Sequence, residues 1–399
     1  MLYQQPEGVI YLSERIRRAA LVLIALCLVL GLTDGRMLAE SAAPQIGTGN
    51  ASAALLVEAA SGKVLFEKNA DKKLPAAGLS RLPALLVICE AFDAGEIGRD
   101  AAVSVSEAAS RIGGTTAFLR PGEHIDAESL LLAAVMINAG DAIHALAQTV
   151  CGSEQAAAER INARMAELGI ECGYTDICGA GATFSAAELA RLGAALIKSE
   201  TYSAYGTKYY ETIKHEGAGD TELANPNRLV KQYSGCIGVA TGSSNEARYC
   251  GVFAARRAET TFIAVVLGAE TGSQRFGTAI AMLDHGFSAY RRTSVCAEGE
   301  AFGTVQVRGS FLRELPVEAK TGLDLLLRSG ENGEYSLEAE LPEYAEAPVL
   351  RGDTLGRLIV VGANGELLAE TELVAAENAP RSAFSDWFRL IIAAFLRLG

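Results

Sequence analysis

Residues 233–267 read YSGCIGVATGSSNEARYCGVFAARRAETTFIAVVL, and this stretch sets the fold class. Short β-branched and apolar runs at 236–240, 247–254 and 261–267 alternate with Gly and Ser turns. Runs of that length between turn residues predict antiparallel strands. Upstream, residues 51–69 read as strand, Ser61-Gly62 turn, strand. Between these strand regions the periodicity predicts helices over 79–94, 129–150, 153–168 and 185–199. The second is interrupted near Asn138-Ala139-Gly140-Asp141. A helix over 279–290 closes the unit, and the order of elements predicts an α/β domain over 48–292 whose sheet draws strands from both of its ends.

From Cys296 onward the signals are strand-length: 303–308, 317–319, 324–328, 336–341, 357–361 and 367–373. Pro342, Pro348, Gly352-Asp353 and Asn364-Gly365 mark turns, so a small all-β sandwich is expected over 296–376. At the N-terminus, Arg15, Arg17 and Arg18 precede an uninterrupted apolar run of fourteen residues at 19–32. The run falls short of the roughly 20 residues that span a bilayer, and small residues follow it, so 1–44 reads as an export signal or N-terminal anchor. A buried N-terminal helix is the alternative. At the other end, 382–399 reads as an amphipathic helix. Trp387, Arg389 and Arg397 suit the membrane interface, and docking on the chain's own domain is the other reading.

Composition narrows the function classes. Half of the 399 residues are hydrophobic and 21% are charged, which excludes a dominantly disordered chain. A net charge of -13 has the wrong sign for a general nucleic-acid binder. Eight Cys without a Cys-x-x-Cys and four His without ligand spacing support no metal site, and no cofactor is expected. Cys172 and Cys178 could bridge in an exported domain, with isolated thiols as the alternative.

Several segments carry a family likeness. They are 52–69 followed by Ala70-Asp71-Lys72-Lys73-Leu74-Pro75-Ala76, then Phe118-Leu119-Arg120-Pro121-Gly122-Glu123, Asn227-Arg228-Leu229, Arg275-Phe276 and Leu283-Asp284-His285-Gly286-Phe287. In order and spacing the chain resembles the serine-type D-alanyl-D-alanine carboxypeptidases, the low-molecular-weight penicillin-binding proteins, from about residue 48 to its end. The resemblance implies a penicillin-binding, serine β-lactamase-like domain, an antiparallel sheet flanked by helices. It also implies a β-domain, through Ala347-Pro348-Val349 and Gly352-Asp353, and a terminal membrane-surface helix.

That family's chemistry requires Ser-x-x-Lys, Ser-x-Asn and Lys-Thr-Gly. A serine one helical turn from a neutral lysine can lose its proton and attack a peptide carbonyl, while the strand lysine helps to hold the substrate carboxylate. Aligned through 73–77, the nucleophile position falls on Gly78 and its lysine on Arg81. The second motif falls on Asn138-Ala139-Gly140 and the third on Ala240-Thr241-Gly242. Only Thr241 and Gly242 match. Ser80 is rotated away from Gly78, and no Ser-x-x-Lys occurs anywhere in the chain. Lys320-Thr321-Gly322 and Ser243-Ser244-Asn245 match motifs by letter but are decoys by position.

The resemblance implies an exported protein at the outer face of the bacterial cytoplasmic membrane. Its partners would be a peptidoglycan stem peptide or a cell-wall protein, and the membrane surface through the C-terminal helix. The degenerate motifs predict a pseudoenzyme in which Asn138, Arg81, Thr241 and Gly242 remain to bind ligand. An active carboxypeptidase with its nucleophile elsewhere, and a non-catalytic interaction module, are the alternatives.

Overall fold

The computed structural model describes residues 46–47, 49–217, 219–329, 334–383 and 392. The segment read as an export signal, and the terminal helix apart from residues 382, 383 and 392, lie outside the described residues.

Five antiparallel strands form the central sheet: β1 (Ala53–Glu58), β2 (Val64–Lys68), β3 (Cys236–Ser244), β4 (Arg248–Arg257) and β5 (Thr260–Ala269), in the order β2-β1-β5-β4-β3. β1 runs beside β5 from Ala53 opposite Leu267 to Glu58 opposite Phe262, so the two ends of the domain close one sheet, as expected. Every residue of β1 and β5 is buried. Side chains alternate across a strand, so a strand covered on both faces is mostly apolar, and the exceptions here, Glu58, Thr260 and Thr261, stand at the strand ends. Ala53, Leu55 and Val57 enter one core and Ala54 and Leu56 the other.

On the first face lie α1 (Leu82–Asp93), α2 (Ala127–Ile137), α3 (Gly140–Cys151), α4 (Glu154–Glu167) and α5 (Ala186–Leu196). On the second lies α6 (Gly272–Ala289), which contributes Ala279, Met282 and Leu283. Each such burial of a large aliphatic or aromatic side chain stabilises the fold by about 1.5–3 kcal/mol. Phe262 of β5 meets Phe287 edge to face at 4.8 Å. A Cβ at Gly286 would stand 2.9 Å from the Phe262 ring, so the glycine lets α6 settle on the sheet.

Several helix starts carry the caps that their sequences suggest. Asp126 accepts from Ser129 N, Ser153 from Ala156 N, and Ser185 with Glu188 forms a capping box. The interruption expected near Asn138 is the junction of α2 and α3. Asn138 adopts the left-handed conformation at φ 55°, which asparagine tolerates better than most residues. The helix expected from residue 79 divides instead: Ala77–Arg81 is a 3-10 turn, and α1 begins at Leu82 with Pro83 in its first turn. Proline lacks the N–H that would bond backwards, so the helix starts there.

Beyond the sheet, a six-stranded all-β unit has the order Tyr335–Glu340, Thr354–Gly362, Leu367–Ala375, Glu314–Ala319, Ala301–Arg308, Tyr344–Glu346. Tyr290–Cys296 pairs with Leu323–Arg328 as a separate ribbon. That first strand, and the hairpin Tyr210–Ile213 with Thr221–Ala224, had no counterpart in the sequence reading. Both are short and polar, with few buried positions, so neither shows an apolar run.

Phe262→Ala should cost about 3–5 kcal/mol by removing a fully buried ring from the junction of β5 and α6. Denaturant unfolding of the variant, read as a lowered midpoint at an unchanged slope, checks it.

Candidate active site

Three elements meet at one place: the 3-10 turn carrying Gly78, the α2–α3 junction carrying Asn138 to Gly140, and the edge strand β3 carrying Ala240, Thr241 and Gly242. A Cβ at Gly242 would lie 2.9 Å from Gly78 N and 3.2 Å from Leu79 N. Only glycine permits that approach of strand to turn. Asn138, 5% exposed, donates Nδ2 to Gly78 O at 2.6 Å. The acceptor fixes which way the amide faces, and Asn138 Oδ1 finds no donor among the described residues.

Arg81 closes the same turn. Its Nη1 donates to Thr115 O and Asn138 O, both at 3.0 Å, and Nη2 to Gly113 O at 2.6 Å. A Cβ at Gly140 would fall 2.6 Å from Arg81 Cζ and 2.5 Å from Ile112 Cγ2. The guanidinium therefore fills the volume that a side chain at 140 would claim. Position 78 differs: a Cβ there would meet only Asn138 Nδ2, at an ordinary 3.5 Å. The structure thus brings Gly78, Arg81, Asn138, Gly140 and Gly242 together, with Ala240 and Thr241 adjoining on β3.

A family model for D-alanyl-D-alanine carboxypeptidase matches residues 39–271, and one for the C-terminal domain of penicillin-binding protein 5 matches 290–381. The chain belongs to the D-alanyl-D-alanine carboxypeptidase family. It is 30% identical over 315 residues to D-alanyl-D-alanine carboxypeptidase DacF of Bacillus subtilis, covering 78% of this chain and 81% of that protein. To DacC of Escherichia coli the identity is 28%, over 77% and 79% of the two chains. Penicillin binding protein 5 from Haemophilus influenzae shares the fold, with a TM-score of 0.74 at 21% identity over 85% of this chain and 99% of that one.

Within this carboxypeptidase fold, two charged residues hold the site though the sequence reading gave them no role. Arg275 of α6 is 7% exposed, and its Nη1 donates to Gly242 O at 3.2 Å and Cys250 O at 3.1 Å. Nε has no acceptor among the described residues, and burial pulls the guanidinium down to about 10. Asp141, 1% exposed, accepts from Ala117 N, Leu119 N and Ala142 N. It holds residues 117–119 against α3 and leaves Phe118, at φ 60°, 75% exposed. An acid just inside a helix start was the available sequence signal for Asp141. Arg275 stood in the Arg275-Phe276 segment of the likeness, but its burial depends on tertiary packing and was not legible there.

Other candidates lie elsewhere. Ser80 Oγ donates to Cys178 O, and Lys73 pairs with Glu188 at 2.6 Å. Among the described residues no lysine amine is hydrogen-bonded to a serine hydroxyl. Lys320 pairs with Glu372, and Thr321 meets Thr371, both in the β-domain. Ser243, Ser244 and Asn245 stand at the end of β3 and the turn after it. Cys172 and Cys178 are free thiols with different partners, Asn162 Oδ1 and Gly140 O. No group of three or more metal-ligating side chains occurs among the described residues.

Arg81→Ala should lower stability by about 2–4 kcal/mol, because three carbonyls lose their donors and a void opens beside Gly140. Arg81→Lys should recover only part of that, since one ammonium cannot reproduce the fork. Chemical denaturation of both variants against the parent measures the difference.

Proposed function

We propose that this family member binds peptidoglycan stem peptides at the outer face of the cytoplasmic membrane without hydrolysing them. The observation that carries the reading is the Arg81 guanidinium fastened over Gly140, beside a Gly78 that offers no hydroxyl. Acyl transfer of this kind needs a nucleophile and a base that can be neutral. Glycine cannot be acylated through a side chain, and arginine stays protonated. Arg81 and Gly140 also fit each other sterically, which supports a cleft adapted to its present residues rather than one damaged at a single point.

Binding is supported by what remains. Among the described residues Asn138 Oδ1 is a buried acceptor without a donor, and Arg275 lies buried against β4 and the edge strand β3, donating to Gly242 O and Cys250 O. That edge strand has a neighbour on one side only, so it can pair with an extended peptide, while Arg275 supplies charge for a terminal carboxylate. Arg81 supplies little, because three of its five hydrogens are held by carbonyls. Export and surface attachment rest on the N-terminal apolar run and the C-terminal amphipathic pattern in the sequence. Among the described residues no helix is long and apolar enough to cross a membrane.

The test incubates the purified protein with a fluorescent penicillin, reads intact mass, and assays D-alanine release from a stem pentapeptide. The expected result is no adduct and no release, with saturable pentapeptide binding by calorimetry. Covalent labelling with turnover would establish the active alternative and direct attention to the labelled residue. Absence of both labelling and binding would favour the interaction-module alternative.

A graded set of variants follows from the geometry. Gly78→Ser should fold with a stability change within about 1 kcal/mol, since its Cβ meets only an ordinary contact, and should remain unlabelled by penicillin. Combining it with Arg81→Lys, Asn138→Ser, Gly140→Asn and Ala240→Lys, and with Ile112→Ala to clear the space beside 140, should restore acylation, read as a mass increase of one penicillin.

A further inference from the structure

At the far end of β3 the surface opens into a basin of about 550 Å³, lined by Ser243, Ser244, Asn245, Arg248, Tyr249 and Glu270. Its size falls within the usual range for small-molecule sites, but its lining is unusual in being mostly polar around one aromatic ring. Tyr249 lies directly opposite Ser243 in the β3–β4 register. The ring is 37% exposed, and the Arg275 guanidinium carbon lies 5.7 Å from its centroid. Arg275 also donates to Gly242 O, so the basin begins one residue beyond the candidate active site and shares a buried support with it.

The polar groups there are arranged as a mixed set of donors and acceptors. Ser244 Oγ accepts from Ala247 N and so fixes the turn. Glu270 accepts from Asn50 Nδ2 at 3.1 Å and stands 3.9 Å from Arg248 Nη1, an exposed pair whose charges balance. Exposed pairs of this kind rearrange at little cost. Ser243 and Asn245 add a hydroxyl and an amide, which both donate and accept. A neutral ligand with several hydroxyls and one apolar face meets all of these requirements, whereas a simple anion would oppose Glu270 and an apolar ligand would strand the polar rim.

We propose that this basin is a saccharide subsite, seating a hexose-sized unit of a glycan with its apolar face on Tyr249. The inference extends the stem-peptide reading from peptide to glycan. Its probe carries no peptide, so the two readings fail separately.

The experiment titrates the full chain with chitotetraose, a tetramer of N-acetylglucosamine, by calorimetry and by saturation-transfer NMR. Saturable binding is expected. Tyr249→Ala should weaken it by about fivefold to tenfold, as loss of one aromatic contact predicts, while Tyr249→Phe stays within about twofold. Asn245→Ala should weaken it by about threefold, the loss of a modest hydrogen bond. Ser243→Tyr, which fills the basin beside Tyr249, should abolish binding and serves if Tyr249→Ala proves unfolded in a thermal melt. The stem pentapeptide should bind Asn245→Ala as it binds the parent. No saturable tetrasaccharide binding, or binding unchanged in Ser243→Tyr, would overturn the subsite.

Discussion

The site rests on one guanidinium. Arg81 gathers the carbonyls of Gly113, Thr115 and Asn138, and so ties the 3-10 turn to the loop before Phe118 and to the break between α2 and α3. Thr115 O also accepts from Gly140 N, so the same carbonyl anchors the first residue of α3. A planar fork suits this task because its hydrogens point in fixed directions. With the turn held, Gly78 and Gly242 can meet backbone to backbone, and β3 reaches its place at the edge of the sheet. Arg81 is thus a structural joint.

Two further buried charges are used in the same way. Asp141 satisfies three backbone N–H groups, and Arg275 satisfies two carbonyls at the end of β3. Buried ions persist only when such partners compensate for lost hydration. Against a net charge of -13 for the whole chain, the buried charges at the candidate cleft are of both signs, and each is spent on backbone groups.

Much of this was legible in the sequence, and particular residues show where legibility ended. The runs at 53–57 and 261–267 announced buried strands because both faces of β1 and β5 are covered, which leaves almost no polar position inside them. Asn138-Ala139-Gly140 announced a helix break through residues that favour caps and turns. The ribbon at Tyr290–Cys296 and the hairpin at Tyr210–Ile213 were silent, since neither presents an apolar run and both gain their strand form from a partner distant or polar in sequence. At the site, the sequence reading named Gly78, Arg81 and Gly140 one by one. That Arg81 lies over Gly140 was beyond it, because the contact spans fifty-nine residues of chain and exists only after folding. Arg275 was hidden for the same reason.

The mutual exclusion at positions 81 and 140 also constrains what can change. A side chain at 140 would collide with the Arg81 guanidinium and with Ile112 Cγ2, so position 140 cannot gain one while both neighbours stay as they are. A side chain at 140 meets both the guanidinium and Ile112, while removing Arg81 leaves the carbonyls of Gly113 and Asn138 without its donors and Thr115 O with Gly140 N alone. Each such single step passes through a less stable protein. The two positions therefore act as a ratchet, each held by the other.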